Sequence, residues 1–479
     1  MEEISREHIK PKETIKATRI ELSSVDMSIP KCYSSMAWIF KTPFPEAFQL
    51  GETLSQLVSS EGFAPLSGCM QPGDEAGRDY IEFGTGTRSP GVLFVVSRFE
   101  SLQVDDFQCG NPLCPALGHP IFETLDADYD KPTSQPCHVL AVKVIHISNG
   151  SAVVLAISLH HRVGDGSALS LFVSAWARYF SRSTRGTVIQ PPEFSRSFID
   201  SVEQQQQQQQ QQLEPPAAAA TAAATTGPIE APDMSLFIGA RPMFEKFTIA
   251  ELEKLKAKAT AKAGEEEGGG GQKWISTKDA LLAHVWRCFI ETSPVAKPNT
   301  NLRASLAVDV RKRIEGFPER YFGNAALVVP VVSATEAPLT KEEITREPLR
   351  KTALRIREAI ESAKGDRAKQ MISTIGMKMK AKAKAMGGQQ QGNVLGGFRV
   401  GIDLTSSDWS AISFTKADFG DHNPILVVPA KSISLPGLVV FMEPSPAHPD
   451  FKSIGLVMFL HVTAVQAEIL TKSNALHNF

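Results

Sequence analysis

The chain has 479 residues, a formal net charge of −2, 42% hydrophobic and 21% charged residues, and a pI near 6.6. That length exceeds one compact core and implies two domains of roughly 200 residues each, while the missing basic excess argues against a nucleic-acid partner. No apolar run approaches the roughly 20 residues that span a bilayer, and the charged start MEEISREHIKPKETIK lacks the apolar stretch of a secretory signal, so a soluble, cytoplasmic protein with no membrane partner is expected.

The segments IEF and GVLFVV, joined around GTGTRSP, predict a strand pair with a hairpin turn; a phosphate loop would need a helix after it. CGNPLC holds Cys109 and Cys114, the closest spacing among six cysteines; without a second pair or a histidine pair it reads as a loop, and no metal is expected. HVLAVKVIHI and SAVVLAISLH, split by Ser148-Asn149-Gly150, predict a hairpin. Alternation along its second strand puts Val153, Leu155, Ile157, Leu159 and His161 on one face. A helix follows, with Leu169, Phe172, Trp176 and Phe180 on one side and Asp165 at its N-terminus, where a carboxylate is favoured.

EQQQQQQQQQQLEPPAAAATAAATTGP has too little bulky apolar surface to offset the entropy of ordering. Residues 203–233 are therefore expected to be a disordered crossover between an N-terminal half, 1–202, and a C-terminal half, 234–479. The latter opens with a strand, MFEKFTI, and a helix whose Thr248 and Glu251 fit a capping box. STKDALLAHVWRCFIE predicts a helix capped by Ser276 or Thr277, and further helices occupy roughly residues 341–384. Strands and helices mix throughout, which predicts an α/β or α+β fold with mixed sheets.

The chemistry concentrates in HHRVGDG. Of eleven histidines, only His161 has an aspartate, Asp165, four residues on. One reading makes His161 a core histidine and Asp165 a plain helix cap. The other makes His161 a general base, since the unperturbed imidazole pKa lies near the working pH. No G-x-S-x-G and no adjacent cysteine accompany it, so the base would act directly on a substrate hydroxyl or amine. Asp418-Phe419-Gly420 is the one DFG in the chain; HRD and V-A-I-K are absent, which excludes a protein kinase.

Together HHRVGDG and the distant DFG resemble the BAHD acyltransferase family, marked by H-x-x-x-D and D-F-G-W-G. FAPLSG at 63–68, STKDALLAHVWRC at 276–288, DVRKRIEGFPERYFGNA at 309–325 and LSSVD from Leu22 resemble further family segments, in family order over nearly the whole chain. The fungal branch, with its trichothecene acetyltransferases, is the most similar in flavour. The resemblance implies two chloramphenicol-acetyltransferase-like domains with a channel between them, acyl-CoA (with acetyl favoured) as co-substrate with no bound cofactor, and a monomer. His161 would deprotonate a hydroxyl or amine acceptor, such as a secondary metabolite. Asp165 would turn away to pair with an arginine, Arg311 or alternatively Arg313. Gly166 would allow close backbone approach, and Asp418 and Gly420 would shape a loop near the channel and the CoA site.

The sequence departs from the family at D-F-G-Asp421-His422, where tryptophan and the last glycine are missing. If that tryptophan helps hold the oxyanion, another donor must serve; His422 is one candidate, and an exposed loop histidine is the other reading. A non-catalytic ligand-binding member of the fold is the main alternative. HHxxxDG is also the signature of condensation domains, which act on carrier-tethered substrates, and this makes a third reading.

Overall fold

In the computed structural model, residues 1–60, 62–73, 78–100, 137–147, 150–180, 189–213, 233–261, 274–332, 339–386, 398–420, 422–430, 435–447 and 450–479 are described. CGNPLC and the glycine-rich 264–272 stretch lie outside them.

Two six-stranded mixed sheets organise the chain. The first runs Glu2–Ile9, Val92–Phe99, Leu140–Ile147, Ala152–His160, Tyr33–Lys41, Leu426–Pro429. The second runs Arg241–Thr248, Ile454–Val462, Leu438–Met442, Leu404–Asp408, Ala304–Asp309, Ala326–Pro330. The expected hairpin forms: Leu140–Ile147 and Ala152–His160 pair antiparallel from Leu140↔Leu159 to Ile147↔Ala152, and Gly150 turns with φ +74. Every residue of Ala152–His160 is buried, because the strand lies inside the sheet with both faces covered. Its alternation therefore does not separate a wet face from a dry one. His161 sits just past the strand end, in the turn.

The expected pairing of IEF with GVLFVV does not form. Tyr80–Phe83 joins Thr18–Glu21 and Cys69–Gln71 in a small sheet, while Val92–Phe99 pairs with Glu2–Ile9 and Leu140–Ile147. Two short apolar runs with a glycine-rich link look like a hairpin locally, but long-range partners set the pairing.

The two halves also interlock across the expected boundary. Leu426–Pro429, from the C-terminal half, closes the edge of the N-terminal sheet beside Tyr33–Lys41, and Phe414 and Phe419 pack in the same core. Conversely, Val25, Ile199 and Val202 belong to the core of the second sheet. The crossover read as disordered from residue 203 begins instead as a helix, Ser197–Leu213. Glutamine is a good helix former, and Glu203 anchors the start: it is buried, accepts a hydrogen bond from Ser24 Oγ and lies against Gly376.

Three tryptophans, Trp38, Trp176 and Trp286, are fully buried. Each such ring removes enough apolar surface to contribute about 4–6 kcal/mol of transfer free energy. The capping box expected at Thr248/Glu251 is formed, and of Ser276 and Thr277 it is Ser276 that caps its helix, in a box with Asp279. Among the described residues, no helix is long and apolar enough to cross a membrane, and no cluster of His, Cys, Asp and Glu could hold a metal ion.

Candidate active site

The corner His161–Asp165 joins the buried strand Ala152–His160 to the helix Gly166–Arg178. Asp165 is the N-cap of that helix: its Oδ1 accepts from Ala168 N at 3.1 Å. Leu169, Phe172, Val173 and Trp176 are fully buried and fix the helix on the sheet, whereas Tyr179 and Phe180 lie past its end.

Nearly every residue of the corner is tied down by a group from elsewhere in the chain. His161 N donates to Cys32 O at 2.8 Å, and His161 O accepts from Asn324 Nδ2 at 2.8 Å. The Arg162 guanidinium turns away to Asp79 at 2.6 Å and to Ile29 O at 2.8 Å. Val163 O accepts from Arg196 at 3.0 Å. A Cβ on Gly164 would stand 2.6 Å from that of Ala168, so only glycine fits there.

Arg311 is the arginine that meets Asp165. Its Nη1 and Nη2 donate to the two carboxylate oxygens at 3.0 and 2.9 Å, a bidentate pair. Ala325 N adds a further hydrogen bond to Asp165 at 2.9 Å. Arg311 also donates to Asp309 at 2.9 Å and to Gly323 O at 2.8 Å. Arg313 points elsewhere, to Ile360 O. Burial alone would raise the Asp165 pKa, but the Arg311 charge and its hydrogen bonds hold the carboxyl below the usual carboxylate range. Asp165 is therefore a charged carboxylate whose oxygens are taken up by Arg311 and by the Ala168 and Ala325 N–H groups.

The two adjacent histidines differ in access. His160 is fully buried, with Nδ1 accepting from Arg162 N at 3.1 Å and Tyr33 edge-on at 5.6 Å. His161 is only half-buried, and its Nδ1 is enclosed without a hydrogen bond. Burial pulls the His161 pKa below the ordinary histidine value, against the upward pull of its own backbone, Asp165 and Asn324. The ring is accordingly neutral at neutral pH.

Gly166 opens the helix beneath a loop from the C-terminal half. A Cβ there would lie 3.1 Å from Ile412 Cδ1 and 3.6 Å from the Phe414 ring. The loop is pinned by Ser170 Oγ donating to Ile412 O at 2.7 Å and Trp38 Nε1 to Phe414 O at 2.8 Å. The segment reaching the corner is thus the one just before the DFG, not the DFG itself. Phe419 is buried among Phe40, Phe44, Trp176 and Phe180, and a Cβ on Gly420 would lie 3.5 Å from Phe180 O. Phe180 is beyond the far end of a helix of 13 residues, roughly 20 Å long. Asp418 and Gly420 therefore lie toward the opposite end of that helix from His161. His422 is with them, its ring 6.4 Å from that of Phe44, and so is no oxyanion donor for His161.

Reading motifs alone missed the roles of Asp26, Arg196 and Asn324. Asp26 and Asn324 do stand in segments with family resemblance, LSSVD and YFGN, but Arg196 carried no signal.

The Transferase family model matches residues 1–467. Hydroxycinnamoyltransferase 2 from Oryza sativa subsp. japonica is 25% identical over 484 residues, covering 97% of this chain and 96% of its own. Putrescine hydroxycinnamoyltransferase 1 from the same plant is 24% identical over 424 residues, covering 85% and 84%. The solved structure of F. sporotrichioides TRI101, complexed with coenzyme A and T-2, has the same fold, with a TM-score of 0.68 at 18% identity over 95% of this chain and 97% of that one. The family match spans both sheets and both halves of the corner just described, and the chain belongs to the Transferase family, the acyl-CoA-dependent BAHD acyltransferases.

Proposed function

We propose that His161 is the general base that lets this acyltransferase move an acyl group from acyl-CoA to the hydroxyl or amine of a small-molecule acceptor. The observation that carries the reading is the contrast within the pair: His161 is half-buried, while His160 is sealed in the core. With Nδ1 enclosed, Nε2 is the nitrogen that takes the acceptor proton. The acceptor oxygen or nitrogen then attacks the thioester carbonyl, and the tetrahedral intermediate collapses as the C–S bond breaks. The proton passes from His161 to the CoA thiolate. No enzyme nucleophile takes part. Asp165 and Arg311 hold the corner rigid, Gly166 admits the Ile412 loop, and Asp418 and Gly420 support the fold at the far end of the helix.

The acyl group is open to two donors. The rice relatives are named hydroxycinnamoyltransferases, whereas acetyl transfer to a secondary metabolite is the narrower reading from the fungal-type motifs, supported by the fold of TRI101 in complex with T-2. The test is CoA release from acetyl-CoA and from a hydroxycinnamoyl-CoA, with hydroxylated terpenoids, alkaloids and diamines as acceptors, wild type beside His161→Ala. Both proteins must match in circular dichroism and melting. Loss of about 10²–10⁴-fold in turnover is expected. Because the base must be neutral, wild-type activity should fall as pH drops through a value below the ordinary ~6.5 of histidine. Equal turnover in both proteins removes His161 from the mechanism.

A further inference from the structure

Residues 321–325 form a strip whose backbone groups turn to two separate buried carboxylate–arginine pairs. Toward Asp165–Arg311, Ala325 N donates to the carboxylate, while the Gly323 carbonyl accepts from the guanidinium. Toward the second pair, Asp26–Arg196, Asn324 N donates to Asp26 and the Phe322 carbonyl accepts from Arg196. Both guanidinium carbons lie within 5.7 Å of the Tyr321 ring centroid. A Cβ on Gly323 would stand 2.6 Å from that ring, so the strip needs glycine at this point.

The second pair is as fully occupied as the first. Asp26, at 0% exposure, accepts on Oδ2 from Arg196 Nε at 2.9 Å, Ser23 N at 3.0 Å and Ser23 Oγ at 2.8 Å. Its Oδ1 accepts from Asn324 N and Nδ2, both at 2.9 Å. Arg196 directs its other N–H groups to the carbonyls of Phe194, Phe322 and Val163 at 2.7, 2.6 and 3.0 Å. Such a buried pair adds little net stability over an apolar replacement. What it supplies here is direction, because it fixes the orientation of one amide.

That amide is Asn324. Its Nδ2 carries two N–H donors, one for Asp26 and one for the His161 carbonyl at 2.8 Å. Arg196 grips the carbonyl two residues further on. We propose that Asn324, oriented by the Asp26–Arg196 pair, is a positioning residue that sets where the His161 ring stands. The proposal rests on the reading of His161 as the base. It assigns the two ion pairs separate tasks: Asp165–Arg311 holds the helix end of the corner, and Asp26–Arg196 holds the histidine end through Asn324.

The test uses the full chain with Asn324→Ala and Asn324→Ser, read in three ways. These are kcat and KM for both substrates, the titration of the His161 ring by NMR (its signal assigned by loss in His161→Ala), and Tm. A displacement on the order of 1 Å costs about 10²-fold in kcat with KM little changed. The His161 pKa should also fall, since Asn324 pulls it upward in the wild type. A lowered Tm with unchanged kcat per folded enzyme and an unchanged His161 titration overturns the proposal and leaves Asn324 a purely structural residue. If the alanine variant does not fold, the serine variant decides by the same readouts, because its hydroxyl keeps a donor for Asp26 but cannot serve His161 as well. If His161→Ala keeps full turnover, the functional reading fails, and the ring titration in the Asn324 variants still decides whether Asn324 positions it.

Discussion

Replacing Arg311 by leucine is expected to damage the fold first and activity through it. In the native protein Arg311 gives Asp165 two charged hydrogen bonds, at 2.9 and 3.0 Å, and holds Asp309 and the Gly323 carbonyl besides. Without it Asp165, only 7% exposed, keeps just the Ala168 and Ala325 N–H groups. An uncompensated buried charge of this kind costs about 3–5 kcal/mol, a fall in Tm of roughly 3–10 °C for a chain of this size. The pH dependence has a definite sign. In the wild type the carboxyl is held below its usual range, so its pairing contributes stability that is complete above the unfolded value of ~3.9 and lost as pH falls through the lowered native value. In the variant the cation is gone and burial raises the native pKa above the unfolded one. The penalty is then largest near neutral pH and shrinks on acidification, as protonation removes the buried charge. Thermal and urea melts of both proteins at neutral and mildly acidic pH, with activity per folded molecule, measure this. A Tm within about 2 °C of wild type at both pH values, together with lost turnover, would refute the structural assignment and put the pair into the chemistry.

Two further variants separate local roles. His422→Ala should leave kcat nearly unchanged, because the ring packs near Phe44 at the far end of the helix from His161; a loss of about 10²–10³-fold, the cost of removing an oxyanion donor, would contradict that placement. His477 is flanked by Glu245 at 3.1 Å and Glu251 at 3.0 Å, whose hydrogen bonds raise its pKa despite burial. Its charged form should therefore contribute stability that is fully present below the unfolded value of ~6.5 and disappears as pH rises through the raised native value. The Tm gap between wild type and His477→Ala should be widest at acidic pH and close at alkaline pH; a gap independent of pH would mean that only packing is lost.

Local pattern made a good part of this molecule legible. The hairpin around Gly150, the helix from Gly166, its Asp165 cap and the box at Thr248 each depend on residues within a few positions of one another, and each is present. The motif H-x-x-x-D likewise joins a strand end to a helix start within five residues, so it could be read directly. What pattern could not supply was partner choice over distance. IEF and GVLFVV went to different sheets, and the strand Leu426–Pro429 crossed into the sheet of the other half. The glutamine tract read as disordered begins as a helix because a buried Glu203 and the neighbouring Gly376 hold it.

The candidate site divides along the same line. The sequence by itself determined that a histidine would stand at a strand–helix corner with a capping aspartate four residues on, since chain geometry and helix electrostatics act locally. Only the tertiary structure decided that Arg311 and not Arg313 meets Asp165, and that His161 and not His160 keeps an open side. It also decided that the DFG lies far along the helix, and that Asp26, Arg196 and Asn324 form a second clamp. The physical reason is that a buried charge must find its counter-charge and its donors wherever packing brings them, and residues 26, 196 and 324 are neighbours only in the folded chain.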